Sequence, residues 1–452
     1  MRFWWIATTL ILLQGFWPVV GSAQEALLPA ASPAGAAQEA SARTATLQQL
    51  IERALADNPG VQAKRRAYEA ARARVLAAWL PDDPELGVDV EGQSSLFRFD
   101  RIDNEYMLSQ SVPFPTTLWL RGRVASRDAA IAFQRYRQEQ RETAWHVEQP
   151  YYDLVVAHHT AAALEDIRML LERSAHAAQA RYESNRASQQ DLLKTQIALS
   201  QTSVELFNWQ QKAHLAQAHI AHVINEPLQT TYVVEERATH PSDVRPLPEL
   251  EQLALRAHPE LTAMALGIQR AKAAFGLAAT NWLPNLTGRI EARQFSGEGS
   301  IREYDTFLGL TVPVWSIVKG VGGEWRAARG DVQEAEAMYA QMKNEVLLAI
   351  HEAYAKVASA QNGVMTYEAV ILPEAKQQVE VALSAYEAGR SDMLALIDAQ
   401  RTLKDTQVAY YGLQADYERG VSDLRLAVGA ELPQAAGTGG AGHGTSSQES
   451  HR

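Results

Sequence analysis

One structural unit written twice constrains this 452-residue chain more than any other feature. Leu50 opens LIERALADNP and Leu253 opens LALRAHP, with Pro59 and Pro259 in step. Leu80-Pro81 answers Leu283-Pro284, and Val112-Pro113 answers Val312-Pro313. YESNRASQQDLLKTQ from Tyr182 answers YEAGRSDMLALIDAQ from Tyr386. The offset stays between 200 and 204 across all four landmarks, in order. Such self-similarity is the mark of a tandem duplication, with copies at about 46–228 and 249–431.

Each copy predicts the same element order. A helical stretch of about 35 residues comes first (Leu47 to Leu80; Leu250 to Leu283), ended by proline. Two strands follow: Leu86 to Phe97 and Asn104 to Val112 in copy one, Asn285 to Phe295 and Glu303 to Val314 in copy two. A very long helix comes next, Leu118 to Tyr182 and Val321 to Tyr386, and after a short break a second, Gln189 to Ile224 and Asp392 to Val428.

The last helices carry a seven-residue repeat. Leu396, Leu403, Tyr410, Tyr417 and Leu424 form one seam, matched in copy one by Leu192, Leu199, Leu206, Ala213 and Ile220. Three residues after each lies a second seam: Ala399, Thr406, Leu413, Gly420 and Ala427, or Thr195, Thr202, Trp209, Ala216 and Val223. An ordinary amphipathic helix would drift off a strict heptad, so this period predicts coiled-coil packing. Helices of about 65 residues at about 1.5 Å each reach about 95 Å, longer than any compact domain of this size.

The strands alternate. Leu286, Gly288, Ile290 and Ala292 share a face opposite Arg289, Glu291 and Arg293, while Tyr304, Thr306, Leu308, Leu310 and Val312 form another apolar face. Strands of about 9–12 residues with one apolar and one charged face suit a membrane barrel with a polar lumen; a half-buried soluble sheet is the alternative. Four strands cannot close a barrel, and lipid does not tolerate open edges. Three chains would supply twelve strands, so the simplest assembly is a cyclic trimer: a pore continued by a helical tunnel.

The ends agree with export. Residues 1–23 have a basic start at Arg2, an apolar run from Phe3 to Val20 and a small-residue cleavage site at Gly21-Ser22-Ala23, and read as a signal peptide. Residues 24–45 are predicted to be a disordered linker, 229–248 a linker between the copies, and 432–452 a disordered tail. No later window offers the roughly 18 apolar residues of a membrane-spanning helix. The chain has no cysteine, which excludes disulfides, Cys-ligated metals and a cysteine nucleophile. Its net charge of −11 argues against nucleic acid as a partner. No nucleophile elbow, P-loop or zinc-protease motif is present, so the reading is a non-enzyme. No cofactor or metal site is predicted: His219 and His222 lie one turn apart near His214, and His158 adjoins His159, but a closed site needs further ligands.

Together, ALADNP with its Ala-rich helix to Leu80-Pro81, the strand-ending Val-Pro, and Tyr386-Glu-Ala-Gly-Arg followed by Leu396-Ile-Asp-Ala-Gln make the chain resemble the outer-membrane efflux protein family, the TolC-type channels. Leu80-Pro81-Asp-Asp-Pro-Glu-Leu86 and Val112-Pro-Phe-Pro with Leu120-Arg-Gly-Arg123 look most like its cobalt–zinc–cadmium branch. The resemblance implies a mainly helical fold in which each chain gives four strands to a trimeric twelve-stranded barrel in the outer membrane, with the helices in the periplasm. It implies an exit duct passing small solutes outward, divalent metal cations among the candidates. Its partners would be outer-membrane lipid, a periplasmic adaptor and an inner-membrane transporter. A periplasmic coiled-coil or adaptor protein is the alternative, and the amphipathic strands count against it.

The resemblance also assigns residues. Asp191 and Tyr386 match an acid and a tyrosine that bridge neighbouring hairpins in a closed gate, with Arg390 as supporting cation; local pairing of Asp191 with Lys194 is the alternative. Asp398 matches an inward-facing acid that three chains would repeat as a ring; solvating or capping its own helix is the alternative. The tips, Tyr182 to Gln190 and Tyr386 to Asp392 with Arg186 and Gly389, are the expected adaptor contact. Two departures from the pattern are Pro150, expected to kink the first long helix, and Asn185 in place of the tip glycine.

Overall fold

The computed structural model describes residues 43–91, 103–184, 188–234, 245–295 and 300–430. The predicted signal peptide, most of the 24–45 linker, the second half of the predicted strand Leu86 to Phe97, the middle of the 229–248 linker and the 432–452 tail lie outside them.

Copy one with its flanking residues contains β1 (Arg43–Ala45), α1 (Leu47–Asp57), α2 (Pro59–Ala78), β2 (Glu85–Glu91), β3 (Asp103–Val112), α3 (Pro115–Glu183), α4 (Gln189–Ile224) and β4 (Tyr232–Val234). Copy two contains α5 (Leu247–Ala257), α6 (Pro259–Thr280), β5 (Asn285–Gln294), β6 (Glu303–Thr311), α7 (Val314–Lys319), α8 (Trp325–Thr366), α9 (Leu372–Glu387) and α10 (Met393–Val428). At 69 residues α3 runs about 100 Å.

The first helical stretch of each copy is two helices rather than one. Pro59 and Pro259 have no N–H to give, and the residue before proline avoids the helical region. Asn58 and His258 therefore sit extended, at ψ 124° and 121°, ending one helix and capping the next. Two stretches read as linker are also ordered. Arg43–Ala45 pairs in parallel with Tyr232–Val234, and Ala45 and Tyr232 are buried in the core of copy one. Three-residue strands leave no periodicity to read; they form because the two ends of the copy meet.

The same two junctions set helices end to end. Asn58 Oδ1 accepts from the Gly60 N–H at 2.8 Å, while its Nδ2 donates to the Val223 carbonyl at 2.9 Å. That carbonyl is in the last turn of α4, so α2 starts where α4 stops. In copy two α10 ends at Gly429, φ +65°, packed so closely on His258 and Pro259 that a Cβ would lie 2.8–2.9 Å from them. A side chain is thus excluded where α10 meets α6. The cores repeat as well: Leu50, Ala54, Tyr151 and Ile220 cluster in copy one, and Leu250, Ala254, Ile350 and Leu424 in copy two.

α3 stays helical through Pro150, whose ring is buried. The second long helix is the interrupted one. A π turn at Tyr367–Ile371 precedes Pro373, shifting the hydrogen-bond register where proline lacks a donor. Another π segment, Gly320–Glu324, joins α7 to α8 across a kink at Gly323. Both predicted seams of α4 and α10 face inward, none of their residues being exposed. Leu396 and Leu424 are wholly buried, each worth about 2–3 kcal/mol of apolar transfer.

The four longer strands form one antiparallel sheet in the order β2-β3-β5-β6. Its register aligns Leu86 with Leu108 and Ile290, and Leu286 with Val112 and Leu310, so the apolar positions of all four strands share one face. The other face carries Arg293 between Glu105 (3.6 Å) and Asp305 (3.8 Å), and Arg289 on Glu291 at 2.7 Å. β2 and β6 are the open edges.

His258 caps α6 through Nδ1, which accepts from the Glu260 N–H at 3.2 Å and must be unprotonated to do so. Burial, then Arg141, pushes its pKa down to about 4; nearby Glu260 is pushed up by its own burial, then by Glu142 and Glu345. Below about pH 6.5 the unfolded chain takes up this proton while the folded chain refuses it. Stability should therefore fall as pH drops from about 6.5 to 4, by about 3 kcal/mol in all. His258→Asn, the residue copy one uses, should keep the cap and flatten that slope, measured as urea unfolding midpoints at pH 7.5 and 5. An equal pH dependence in both proteins would remove His258 as its source.

Candidate functional site

The helical hairpins turn at the end of α3 and α9. The α3–α4 turn includes residues 185–187, so Arg186 and Asn185 lie outside the described residues. On its far side Ser188 and Asp191 form a capping box: each side chain accepts the other's backbone N–H at 3.3 Å. The α9–α10 turn closes on Gly389, φ +70°. The Arg390 N–H donates to Ala385 and the Gly389 N–H to Tyr386, at 2.8 and 3.0 Å, which satisfies the last carbonyls of α9. Only glycine takes this left-handed position without strain. Asp392 then caps α10, accepting from the Ala395 N–H at 3.0 Å.

Between the tips Tyr386 packs with Ala178, Met393 and Leu396. The Arg181 guanidinium lies 4.5 Å over its ring. The phenol oxygen is buried and has no hydrogen-bond partner among the described residues.

Within one chain, then, the residues expected to form the gate are close but not joined. Asp191 is held by its own helix start rather than by Tyr386, and it makes no ion pair with Lys194 among the described residues. The cation at Tyr386 is Arg181, not Arg390, whose side chain is exposed. Asp398 is exposed, and because Asp392 is the cap, Asp398 does not serve that role. Arg181 had no sequence signal, since the copies differ before the shared tyrosine: Arg181 precedes Tyr182, but Ala385 precedes Tyr386.

Above the tips the two copies meet along α3 and α10 through polar contacts. Gln400 Nε2 donates to the Ser174 hydroxyl at 3.0 Å, both residues buried. Lys404 pairs with Glu205 of α4 at 2.9 Å. Asp423 accepts from the Trp145 indole at 2.8 Å and from Gln149 and Lys356 at 3.2 Å. Glu148, buried, accepts from Ser422 and pairs with Arg425. Burial, then the Glu418 and Glu148 carboxylates, holds the neighbouring Tyr152 phenol well above its ordinary range. These groups link helices. Among the described residues no three His, Asp or Glu side chains are grouped to hold a metal ion, and no helix is long and apolar enough to cross a membrane.

Known proteins share this fold. Residues 50–226 and 250–430 each match the outer membrane efflux protein family. The cobalt-zinc-cadmium resistance protein CzcC of Cupriavidus metallidurans is 27% identical over 173 residues, a match covering 37% of this chain and 40% of that protein's length. The outer membrane protein VceC of Vibrio cholerae superposes with a TM-score of 0.73 at 16% identity, over 86% of this chain and 97% of that one. CusC, solved in the context of transmembrane channel formation, gives 0.75 at 15%, over 85% and 92%. The open-state MtrE outer membrane channel of Neisseria gonorrhoeae gives 0.70 at 15%, over 86% and 90%. At these identities the structural likeness is one of fold.

An unpartnered buried hydroxyl costs about 1–3 kcal/mol. Where no neighbouring chain supplies a partner, Tyr386→Phe should therefore leave thermal stability unchanged or raise it slightly, as followed by circular dichroism of the purified protein. A clear loss of stability would mean that the phenol bonds to a group outside the described residues, as an inter-chain gate bond requires.

Proposed function

Because the chain belongs to the outer membrane efflux protein family, we propose that it is the exit duct of a tripartite pump, working as a trimer with a periplasmic adaptor and an inner-membrane transporter. The observation that carries this is the sheet: four strands, apolar positions aligned on one face, ion pairs on the other, and two edges unpaired. In lipid such a sheet must close on further copies; three chains would make a twelve-stranded wall, within the size range of known barrels. The long paired helices would continue the lumen into the periplasm.

Divalent heavy-metal cations are the proposed cargo, supported by the likeness to CzcC over part of its length and by the acid at Asp398, exposed near the hairpin tips. Three such carboxylates around an axis would favour cations. The tips, with Gly389 and Arg186, are the proposed adaptor contact. In the closed state a bond between Asp191 and Tyr386 of neighbouring hairpins, with Arg390 nearby, would give the buried phenol the partner it lacks among the described residues. Asp191 would have to leave its capping box to take part. Bonds of this kind contribute about 1.5–3 kcal/mol, weak enough for an adaptor to displace.

Purified protein in planar bilayers should give stepwise, cation-selective conductance, and a protein that never conducts would overturn the duct. Asp398→Asn should move the reversal potential toward zero; no movement would remove the acidic ring. Tyr386→Phe with Asp191→Ala should raise single-channel conductance, and wild-type conductance in the pair would locate the gate elsewhere.

A further inference from the structure

Each of the four places where the four-stranded sheet meets a helix exposes one tryptophan. Trp79 follows α2, Trp119 lies in the first turns of α3, Trp282 follows α6, and Trp315 lies in α7. Tryptophan prefers the layer where lipid headgroups meet water, with its ring in the apolar region and its N–H wet. Neither seam packing nor the tip explains these four side chains.

α7 departs furthest from its copy. Val314, Trp315, Ile317 and Val318 are all exposed, Trp315 at 77%. The aligned residues of copy one are Phe114, Pro115, Thr117 and Leu118, of which Thr117 is packed away. In copy one the helix runs straight on from Pro115, whereas α7 is set off from α8 by the kink at Gly323. An apolar helix of six residues, open on several sides, is neither a core element nor a solvated one. Its apolar surface continues that of β6, where Leu308, Leu310 and Val312 are 75%, 65% and 70% exposed. Lys319, also exposed, ends the segment.

We propose that α7 is an interfacial elbow, seated in the phospholipid headgroup layer on the helical side of the barrel. Trp315, Ile317 and Val318 enter the acyl boundary, and Lys319 meets headgroup phosphates. The elbow fixes the depth at which the barrel gives way to helices, and the three other junction tryptophans lie in the same layer. This rests on the reading of the sheet as a membrane wall, and it adds a lipid-binding segment outside the strands.

The chain has no cysteine, so single cysteines can be spin-labelled without removing native ones. Trp315→Cys and Ile317→Cys would be labelled in the full-length protein, reconstituted in phosphatidylethanolamine–phosphatidylglycerol vesicles. Oxygen, concentrated in lipid, and a water-soluble nickel chelate would then be compared as collision partners. Leu308→Cys on the apolar sheet face and Gln190→Cys at the tip are the controls. The expected oxygen-to-nickel ratio at 315 and 317 is several-fold above that at 190 and below that at 308. A ratio like that at 190, with 308 still in lipid, overturns the elbow and leaves the barrel standing. Water-like ratios at 308 as well overturn the barrel reading. Shielding of 315 and 317 from both reagents means a neighbouring chain covers α7, and overturns the lipid assignment.

Discussion

The sheet ends in two unpaired edges, and the rest of the assembly follows from that. β2 and β6 each present a row of backbone N–H and C=O groups with no strand partner among the described residues. Water can satisfy such groups but hydrocarbon cannot, and each one left bare in lipid costs several kcal/mol. The face that would meet lipid is mainly apolar, with leucine, isoleucine and valine aligned across the strands, so water is not its intended partner. On the proposed reading the edge groups of one chain are met by those of the next. A closed ring then sets the spacing at which the long helices leave the membrane.

Those helices stay long because they are assembled from aligned pieces. α3 is continuous, while its neighbour is α4 capped onto α2 through the two-sided amide of Asn58. Copy two builds the same joint with His258 against Gly429, a design that leaves no room for a side chain and makes the cap depend on an unprotonated imidazole. The copies are then held together by apolar clusters, Ile167 and Leu171 against Ala399 and Leu403, and by hydrogen bonds across the same seam. Glu148, Asp423 and Gln400 each need a partner across it, because a buried polar group left alone is costly. Such a seam favours one register of α3 against α10 over its neighbours.

Long periodic elements were legible in the residues. The bounds of α4, the inward faces of both heptad seams, and the alternation of β5 and β6 all follow from repeating patterns, because burial on one face forces the period. Features decided by one local group were harder to see. Pro59 and Pro259 split helices whose Ala-rich flanks read as continuous. β1 and β4 exist only because distant segments meet. At the tip, Ser188-Gln-Gln-Asp191 has the spacing of a capping box, and that use of the carboxylate competes with a gate bond. That Arg181 rather than Arg390 covers Tyr386 depends on how α3 and α9 pack, which spacing along one helix does not encode.

Closure of the β2 and β6 edges between chains can be measured directly. In the natural cysteine-free background, Gly87→Cys on β2 would be combined with a single cysteine scanned over residues 305–311 of β6, and cells would be oxidised before extraction. A closed ring of three predicts, at one or two positions in the scan, covalent dimers and trimers on a denaturing non-reducing gel and nothing larger. Monomers at every position, or a ladder that continues past three, would contradict it.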